Sequence, residues 1–263
     1  MAGNGASGTA CDRACLTELN TAYLASLVAH DPSRLATRAD VRFTENGQVL
    51  PLGEGLWKVA RTLGSYRQDF AEVPAGQTAG FAALDDDAGP VLLAFRLKVV
   101  ERKVVEIETL VCRTGQASFF VPQNLTARDP LYDADVEPAK RSPRAKMIEI
   151  VDAYFQGLDS GDGSKIAFAP GVMRNENGMV TATEANISNL ANFSYIEQID
   201  RRYALVDEER GNVLPWVLFQ IPMGRTGART LHLAELFKVA NGKIVQILAI
   251  MVNQPLGSPS GWE

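Results

Sequence analysis

The chain is short of positive charge. It carries 26 Lys and Arg against 31 Asp and Glu, a formal net charge of -5 and a pI near 5.2. A polyanion partner leaves a basic footprint, so nucleic acid is excluded as a ligand class, and the one basic run, "KRSPRAK", reads as a solvated linker. Long apolar runs are missing too: none approaches the roughly 18 residues that cross a bilayer, so no membrane partner is expected. The start "MAGNGASGTA" lacks the charged head and apolar middle of a signal peptide, and a cytoplasmic protein is expected, a trimmed leader being left open. Cys11, Cys15 and Cys112 are too few for a disulfide framework and one short of a four-thiolate zinc site. Reduced thiols are the expected state, with a Cys11–Cys15 or Cys11–Cys112 bond as the alternative. The two histidines, His30 and His232, have no metal-ligand spacing, and His30 falls near a helix C-terminus, which favours its cation. No G-x-S-x-G, P-loop or C-x-x-C occurs, so a hydrolase triad, nucleotide use, a metal and a cofactor are all disfavoured. Gly3, Gly5 and Gly8 have dinucleotide-loop spacing but no room for the strand that must precede it, and residues 1–10 read as a flexible tail.

What is present is a core and a repeat. Hydrophobic residues make up 46% of the chain, enough for one large domain or two small ones. "TENGQ" at 44–48 returns as "NENGM" at 175–179. At the same offset, Leu16, Leu19, Tyr23 and Leu27 form a helical stripe that Met147, Ile150, Tyr154 and Leu158 repeat position for position. "AYLASLVAHDPSRL" aligns with "AYFQGLDSGDGSKI" without a gap, and Ser142-Pro143 supplies an N-cap and first-turn proline for the second helix. After each helix come alternating residues, then a short helix ("EGLWKVARTLG", "EANISNLANF"), then strands such as "VLLAFRLKVV" and "RTLHLAELFKVANGKIVQILAIMV". Toward the end the offset grows, Lys103 matching Lys243, so the second copy carries an insertion and room for one more hairpin. Residues 114–144 lack periodicity and read as a surface linker anchored by Phe119, Phe120 and Tyr132.

Asn-Gly between alternating segments is a hairpin signal, because both central residues of a type I′ turn need positive φ. Asn46-Gly47 and Asn177-Gly178 therefore read as turns before they read as chemistry, with Glu45 and Glu176 exposed beside them.

A helix with "AY…D…L", a hairpin, a short helix and a long sheet closing on "ANGKIVQILAIMV" resembles the nuclear-transport-factor-two-like (SnoaL-like) superfamily. "CDRACL…TENGQ…LGEGLW…RLKV" resembles a tandem subfamily of it. The resemblance covers 11–113 and 145–253, with 114–144 as linker and 254–263 as a C-terminal tail. It implies an α+β fold class: two tandem cone-shaped α+β barrels, each a curved antiparallel sheet wrapped by helices around an apolar pocket. Superfamily members commonly dimerise through the sheet, so the two copies are expected to form that pair within one chain, further homo-oligomerisation being left open. Members include cofactor-free isomerases, dehydratases, cyclases and lyases, among them formaldehyde lyases of lignin-derived diarylpropane diols, as well as pure binding modules.

Candidate chemistry lies where polar groups share buried faces. Leu233, Glu235, Phe237 and Val239 lie on one side of their strand, which makes Glu235 a carboxylate on an apolar face. Such a group is desolvated and suits acid–base work; a structural ion pair with arginine is the competing explanation. Arg96, Lys98, Glu106 and Glu108 read instead as a solvent-exposed charge ladder. Trp57 and Arg61, spaced i, i+4 on the short helix, are expected to point together at the pocket mouth. Tyr66 has a counterpart in Tyr195, while Tyr23 and Tyr154 face the core as pocket residues or as satisfied core tyrosines. The catalytic candidates are Glu235, Tyr23, Arg61 and Tyr66; the substrate-binding candidates are Trp57, Phe95, Tyr154, Tyr195 and Phe237. The expected activity is a cofactor-independent lyase that releases formaldehyde from a small aromatic, lignin-derived diol. The alternatives are an isomerase, dehydratase or cyclase of a polyketide- or steroid-like ring, and a non-catalytic module that binds a small hydrophobic ligand.

Overall fold

The structure, a computed structural model, describes residues 10–223 and 227–262. Of the tail expected over 1–10, all but Ala10 lies outside the described residues, Gly3, Gly5 and Gly8 included. In chain order come α1 (Arg13–Val28), β1 (Thr37–Glu45), β2 (Gln48–Leu50), α2 (Leu56–Val59), β3 (Ala60–Glu72), β4 (Gln77–Asp86), β5 (Gly89–Val100) and β6 (Lys103–Arg113). Then follow α3 (Pro130–Asp133), α4 (Arg144–Ser160), β7 (Met173–Glu176), β8 (Met179–Thr183), β9 (Gln198–Asp207), β10 (Asn212–Ile221), β11 (Arg229–Ala240) and β12 (Lys243–Gln254). The first six strands form one sheet in the order β2-β1-β6-β5-β4-β3, and the last six a second in the order β8-β7-β12-β11-β10-β9. The same order in both is what a duplicated unit produces. Each sheet is mixed, β1 running parallel to β6 and β7 parallel to β12. The β3–β4 hairpin, which the pattern of residues 60–86 does not announce, belongs to this repeat. Among the described residues no additional hairpin accommodates the extra length of the second copy; the connection 184–197 is longer than its counterpart, and more residues separate β10 from β11 than β4 from β5. No helix among the described residues is long and apolar enough to cross a membrane.

Each long helix covers one face of its own sheet. Leu16, Tyr23, Leu24 and Leu27 of α1 pack with Phe43, Leu93, Phe95 and Leu97, and Met147, Ile150, Tyr154 and Leu158 of α4 pack with Val213, Leu233 and Phe237. The helix ends follow from local chemistry. Asp12 caps α1, its carboxylate accepting from the Cys15 N–H at 2.8 Å, and Gly161 ends α4 with φ of 70°, in the left-handed region a glycine tolerates. Ser142 does not cap α4: Pro143 occupies the cap position, and the carboxylate of Glu208 accepts from the Arg144 N–H at 2.6 Å.

The opposite faces of the two sheets bury one another. Phe70, Phe81, Leu92, Ala94 and Leu110 of the first join Leu205, Leu214, Trp216, Leu236, Leu248 and Ile250 of the second in one cluster that also takes in Tyr132 from the linker. Both faces of the central strands are therefore apolar, which is why "KIVQILAIMV" reads as a continuous run.

This packing corrects the expected solvent ladder. Arg96 and Glu108 are each only 1% exposed, on the face between the sheets. Arg96 Nε donates to Glu108 at 2.7 Å and Nη1 to Glu106 at 2.7 Å, while Arg202 from the second sheet donates to Glu108 at 2.5 Å. Alternation placed these residues opposite Phe95 correctly; what a single strand does not reveal is a second sheet lying over that face.

The two Asn-Gly sites are turns, and more. Asn46 (φ 51°) and Gly47 (φ 80°) close the β1–β2 hairpin, as Asn177 (φ 48°) and Gly178 (φ 87°) close β7–β8. In addition, the Asn46 side chain exchanges two hydrogen bonds with the Val111 backbone, at 2.8 and 3.0 Å, and Asn177 does the same with Met251, at 2.9 and 2.8 Å. The amide thus continues the parallel ladder one step past the end of the strand.

Each turn is also crossed by a strap from the other unit. A Cβ on Gly178 would stand 2.2 Å from the Val121 carbonyl oxygen of the linker, and one on Gly47 would stand 2.2 Å from that of Pro259. The chain after β6 thus crosses onto the second unit, and the chain after β12 crosses back onto the first. Within the linker Tyr132 is fully buried, while Phe119 is 36% exposed. Cys11 and Cys15 are joined in a disulfide across the first turn of α1, and Cys112 is a buried free thiol. The bond is the alternative to the expected three reduced thiols.

Candidate active site

Sequence candidates meet in two clusters among the described residues: Tyr23, Trp57 and Phe95 beneath α1, and Tyr154, Glu235 and Phe237 on the face of the second sheet beneath α4. Tyr154, Phe155 and Phe237 form an edge-to-face trio with ring centroids 5.3 to 5.7 Å apart. Glu235, two residues before Phe237 on β11, is 1% exposed beside them, and its Oε2 has no hydrogen-bond partner. Two charged groups from β7 complete the site. Arg174 Nη1 donates to the Tyr154 hydroxyl at 2.7 Å, and Arg174 Nε lies 3.6 Å from Glu176. Tyr154 in turn stands beside Glu235, whose carboxylate form its hydroxyl favours. The result is a buried polar cluster of Glu176, Arg174, Tyr154 and Glu235, in which one carboxyl oxygen of Glu235 has no partner.

Burial of the cluster sets the proton affinities. Burial pushes the Glu235 carboxyl up to about 8, with repulsion from Glu176 adding to the rise and Arg174 and the Tyr154 hydroxyl holding it back. Tyr154 is pushed well above the ordinary phenol range, again first by burial. Near neutral pH the site thus holds a protonated carboxyl group with an unengaged oxygen. Such a group can donate a proton to a substrate and take one back.

The first unit carries the same scaffold without this chemistry. Phe95 pairs with Thr109, whose carbonyl accepts from the Asn46 N–H; Glu235 pairs with Ala249, whose carbonyl accepts from the Asn177 N–H. The two side chains are thus structural equivalents, as are Phe43 and Arg174, which pair with Ile107 and Ile247. Where the second unit has Glu235 and Arg174, the first has two phenyl rings, packed with Tyr23 (4.9 Å from Phe95) and Trp57 (5.1 Å from Phe43). Trp57 donates to Ser26 at 3.2 Å, and Glu45 accepts from the Leu56 N–H at 2.8 Å. Glu45 is not the exposed turn neighbour expected: burial raises its pKa, the Leu56 hydrogen bond opposing.

The remaining candidates scatter. Trp57 and Arg61 do not point together, because α2 ends at Val59 and Arg61 already belongs to β3, where it pairs with Asp87 at the surface. Tyr66 lies 3% exposed between the two sheets, remote from the face that carries Tyr23, and burial lifts its pKa. Tyr195 is no counterpart to it: it sits 41% exposed in the connection before β9, 6.1 Å from Phe193. The expected second short helix, over "EANISNLANF", is a series of turns with one 3-10 segment, Ala191–Phe193. Two charged groups of this cluster were not among the sequence candidates: Arg174, and Glu176, which was expected to be exposed beside its turn and is only 12% exposed. The available signal was parity, since Val172, Arg174 and Glu176 alternate onto one face.

Among the described residues no group of three or more His, Cys, Asp or Glu side chains could hold a metal ion. A cleft of 560 Å³ lies elsewhere, between the β3–β4 and β9–β10 turns, lined by Arg13, Glu72, Arg144 and Asp207.

A family model for a domain of unknown function (DUF8021) matches residues 140–251. No curated protein matches the chain. Among solved structures, the chain is similar to a de novo designed protein with a curved β-sheet, at 17% identity over 41% of this chain and 87% of that one, with a TM-score of 0.35. It is also similar to two NTF2-like proteins from Burkholderia xenovorans LB400. One shares 15% identity over 41% of this chain and 90% of that one (TM-score 0.31), the other 17% over 46% and 97% (TM-score 0.33). Likenesses of this size decide nothing about activity.

Proposed function

We propose that the chain is a tandem of two NTF2-like cones paired through their sheets, that the second cone is a cofactor-free acid–base active site, and that the first is its structural partner. The observation that carries this reading is Glu235: fully buried, one oxygen free, beside Tyr154 and Arg174, at the position where the first unit has Phe95. Keeping the Arg174 guanidinium and a polar carboxyl group in a core costs several kcal/mol, and the first unit shows that the same scaffold folds with phenyl rings there.

The reaction proposed is cleavage of a phenolic diaryl diol with release of formaldehyde. Arg174 holds the substrate phenolate. Protonated Glu235 gives its proton to the benzylic hydroxyl, which leaves as water as the phenolate electrons collapse to a quinone methide. The resulting carboxylate takes the proton of the primary alcohol; the carbon–carbon bond breaks, formaldehyde departs, and the electron pair restores the phenolate. Glu235 ends protonated, as it began, and one group serves as acid and then base, as its raised pKa suits. Entry requires the segment 184–197 to lift, since Ile187 and Leu190 are buried against the core and the Phe193 ring lies 5.2 Å from the Arg174 guanidinium carbon.

The test is formaldehyde release by purified protein from a panel of phenolic diaryl diols, with Glu235→Gln alongside. Release by wild type and its loss in the variant supports the proposal. Release by both removes Glu235 from the chemistry. Turnover of a polyketide- or steroid-like ring without a one-carbon product replaces the lyase with an isomerase, dehydratase or cyclase. Ligand binding without turnover reduces the cone to a binding module.

A further inference from the structure

A second cavity lies on the opposite face of the second sheet from Glu235. It measures 390 Å³ and is walled by Trp216 and Leu218 of β10, Arg202 and Asp200 of β9, and Ser260 and Trp262 of the C-terminal strap. Strand register explains the set: Trp216 pairs with Arg202 and Leu218 with Asp200, so all four project to the side on which the first sheet packs. The strap closes the cavity because Trp262 is fixed from below. Its indole stacks on the guanidinium groups of Arg42 and Arg96, 5.0 and 4.8 Å from the ring centre, and its Nε1 donates to Thr44 at 2.7 Å.

The chemistry of the walls is selective. Two indoles and a leucine accept a flat apolar body. The cationic end is Arg202, whose bonds to Glu108 run through Nη2. Its neighbour Arg201 is engaged on the helix side, donating to Asp152 at 2.6 Å, and Asp200 accepts from Gln198 at 2.7 Å. A guanidinium edge at the end of an aromatic slot suits a carboxylate on a planar ring.

We propose that this cavity, formed only when the C-terminal strap is in place, is a second small-molecule site that takes planar aromatic carboxylates between Trp216 and Trp262 with the acid group on Arg202. The site is independent of Glu235 and stands whether or not the second cone is catalytic.

The experiment is calorimetric titration of the full chain with 2-naphthoate and with its neutral amide, 2-naphthamide. Saturable binding of the acid is expected, with the amide about tenfold weaker, a carboxylate–guanidinium contact being worth about 1.4 kcal/mol or more. Trp262→Ala is expected to weaken the acid about tenfold through loss of the stacking wall. Leu218→Trp, which fills the slot and keeps the strap, is expected to abolish binding, so a folding defect in one variant does not decide the matter. Glu235→Gln is expected to bind as wild type does. Absence of binding to wild type overturns the proposal, as do an affinity unmoved by both cavity variants, equal binding of acid and amide, and loss of binding in Glu235→Gln, which places the ligand in the cone.

Discussion

Replacing Glu235 by glutamine should change how stability depends on pH, not merely how large it is. A carboxyl group that ionises at about 4.5 in the unfolded chain and about 8 in the folded one holds its proton longer in the native state. The native state therefore binds more protons than the unfolded state between those values, and stability falls as pH rises through that window. Below about pH 4.5 both states are protonated and Glu235 costs nothing electrostatically; above about 8 both are ionised and the full cost is in place. At about 1.4 kcal/mol per pH unit, that cost is about 5 kcal/mol, of which about 3.5 kcal/mol develops between pH 5 and pH 8. Glutamine does not titrate. Its amide needs partners beside Arg174 and Tyr154, which adds an offset, but that offset does not vary with pH. Urea unfolding of both proteins at pH 5, 6, 7 and 8 should show the variant gaining on wild type by about 3.5 kcal/mol across the series. Parallel stability curves would refute the reasoning, because titrating groups remote from the cluster cancel in the difference.

Three further outcomes follow from the packing. Asn177→Ala removes the two-point clamp on Met251 and forces alanine into a left-handed turn, and should cost about 3 kcal/mol in a thermal or urea melt, with Asn177→Gly recovering only the backbone share. Glu108→Gln leaves Arg96 and Arg202 facing a neutral amide between the sheets and should cost about 3 to 5 kcal/mol, whereas the solvent ladder expected from sequence would lose under about 1 kcal/mol. Reduction of Cys11–Cys15, which closes a very short loop, should lower stability by about 2 kcal/mol, read as a thiol-dependent shift of the melting temperature that Cys11→Ser abolishes.

The duplication was legible because helical stripes and Asn-Gly turns are local signals, and Glu235 was legible because period-two alternation fixes a side chain's face from its neighbours alone. Long-range facts were not. Nothing local to β5 says that Arg96 will meet Arg202 from a strand of the other unit, or that the tail after β12 will carry Trp262 back onto Arg42. Trp57 and Arg61 misled because a helical spacing was read through a chain that turns to strand at Ala60, one residue before Arg61. Arg174 was missed, and Glu176 was read as exposed, because the strength of the turn signal beside them drew the reading outward, although parity with Val172 pointed inward.

The central claim is that Glu235 keeps its proton through neutral pH. Carbon-13 NMR of protein labelled at the glutamate side-chain carboxyl, compared with Glu235→Gln to assign the resonance, measures this directly. One signal, absent from the variant, should titrate with a midpoint near 8. A midpoint in the ordinary carboxylate range, about 4 to 5, would contradict the account and leave the second unit without its acid.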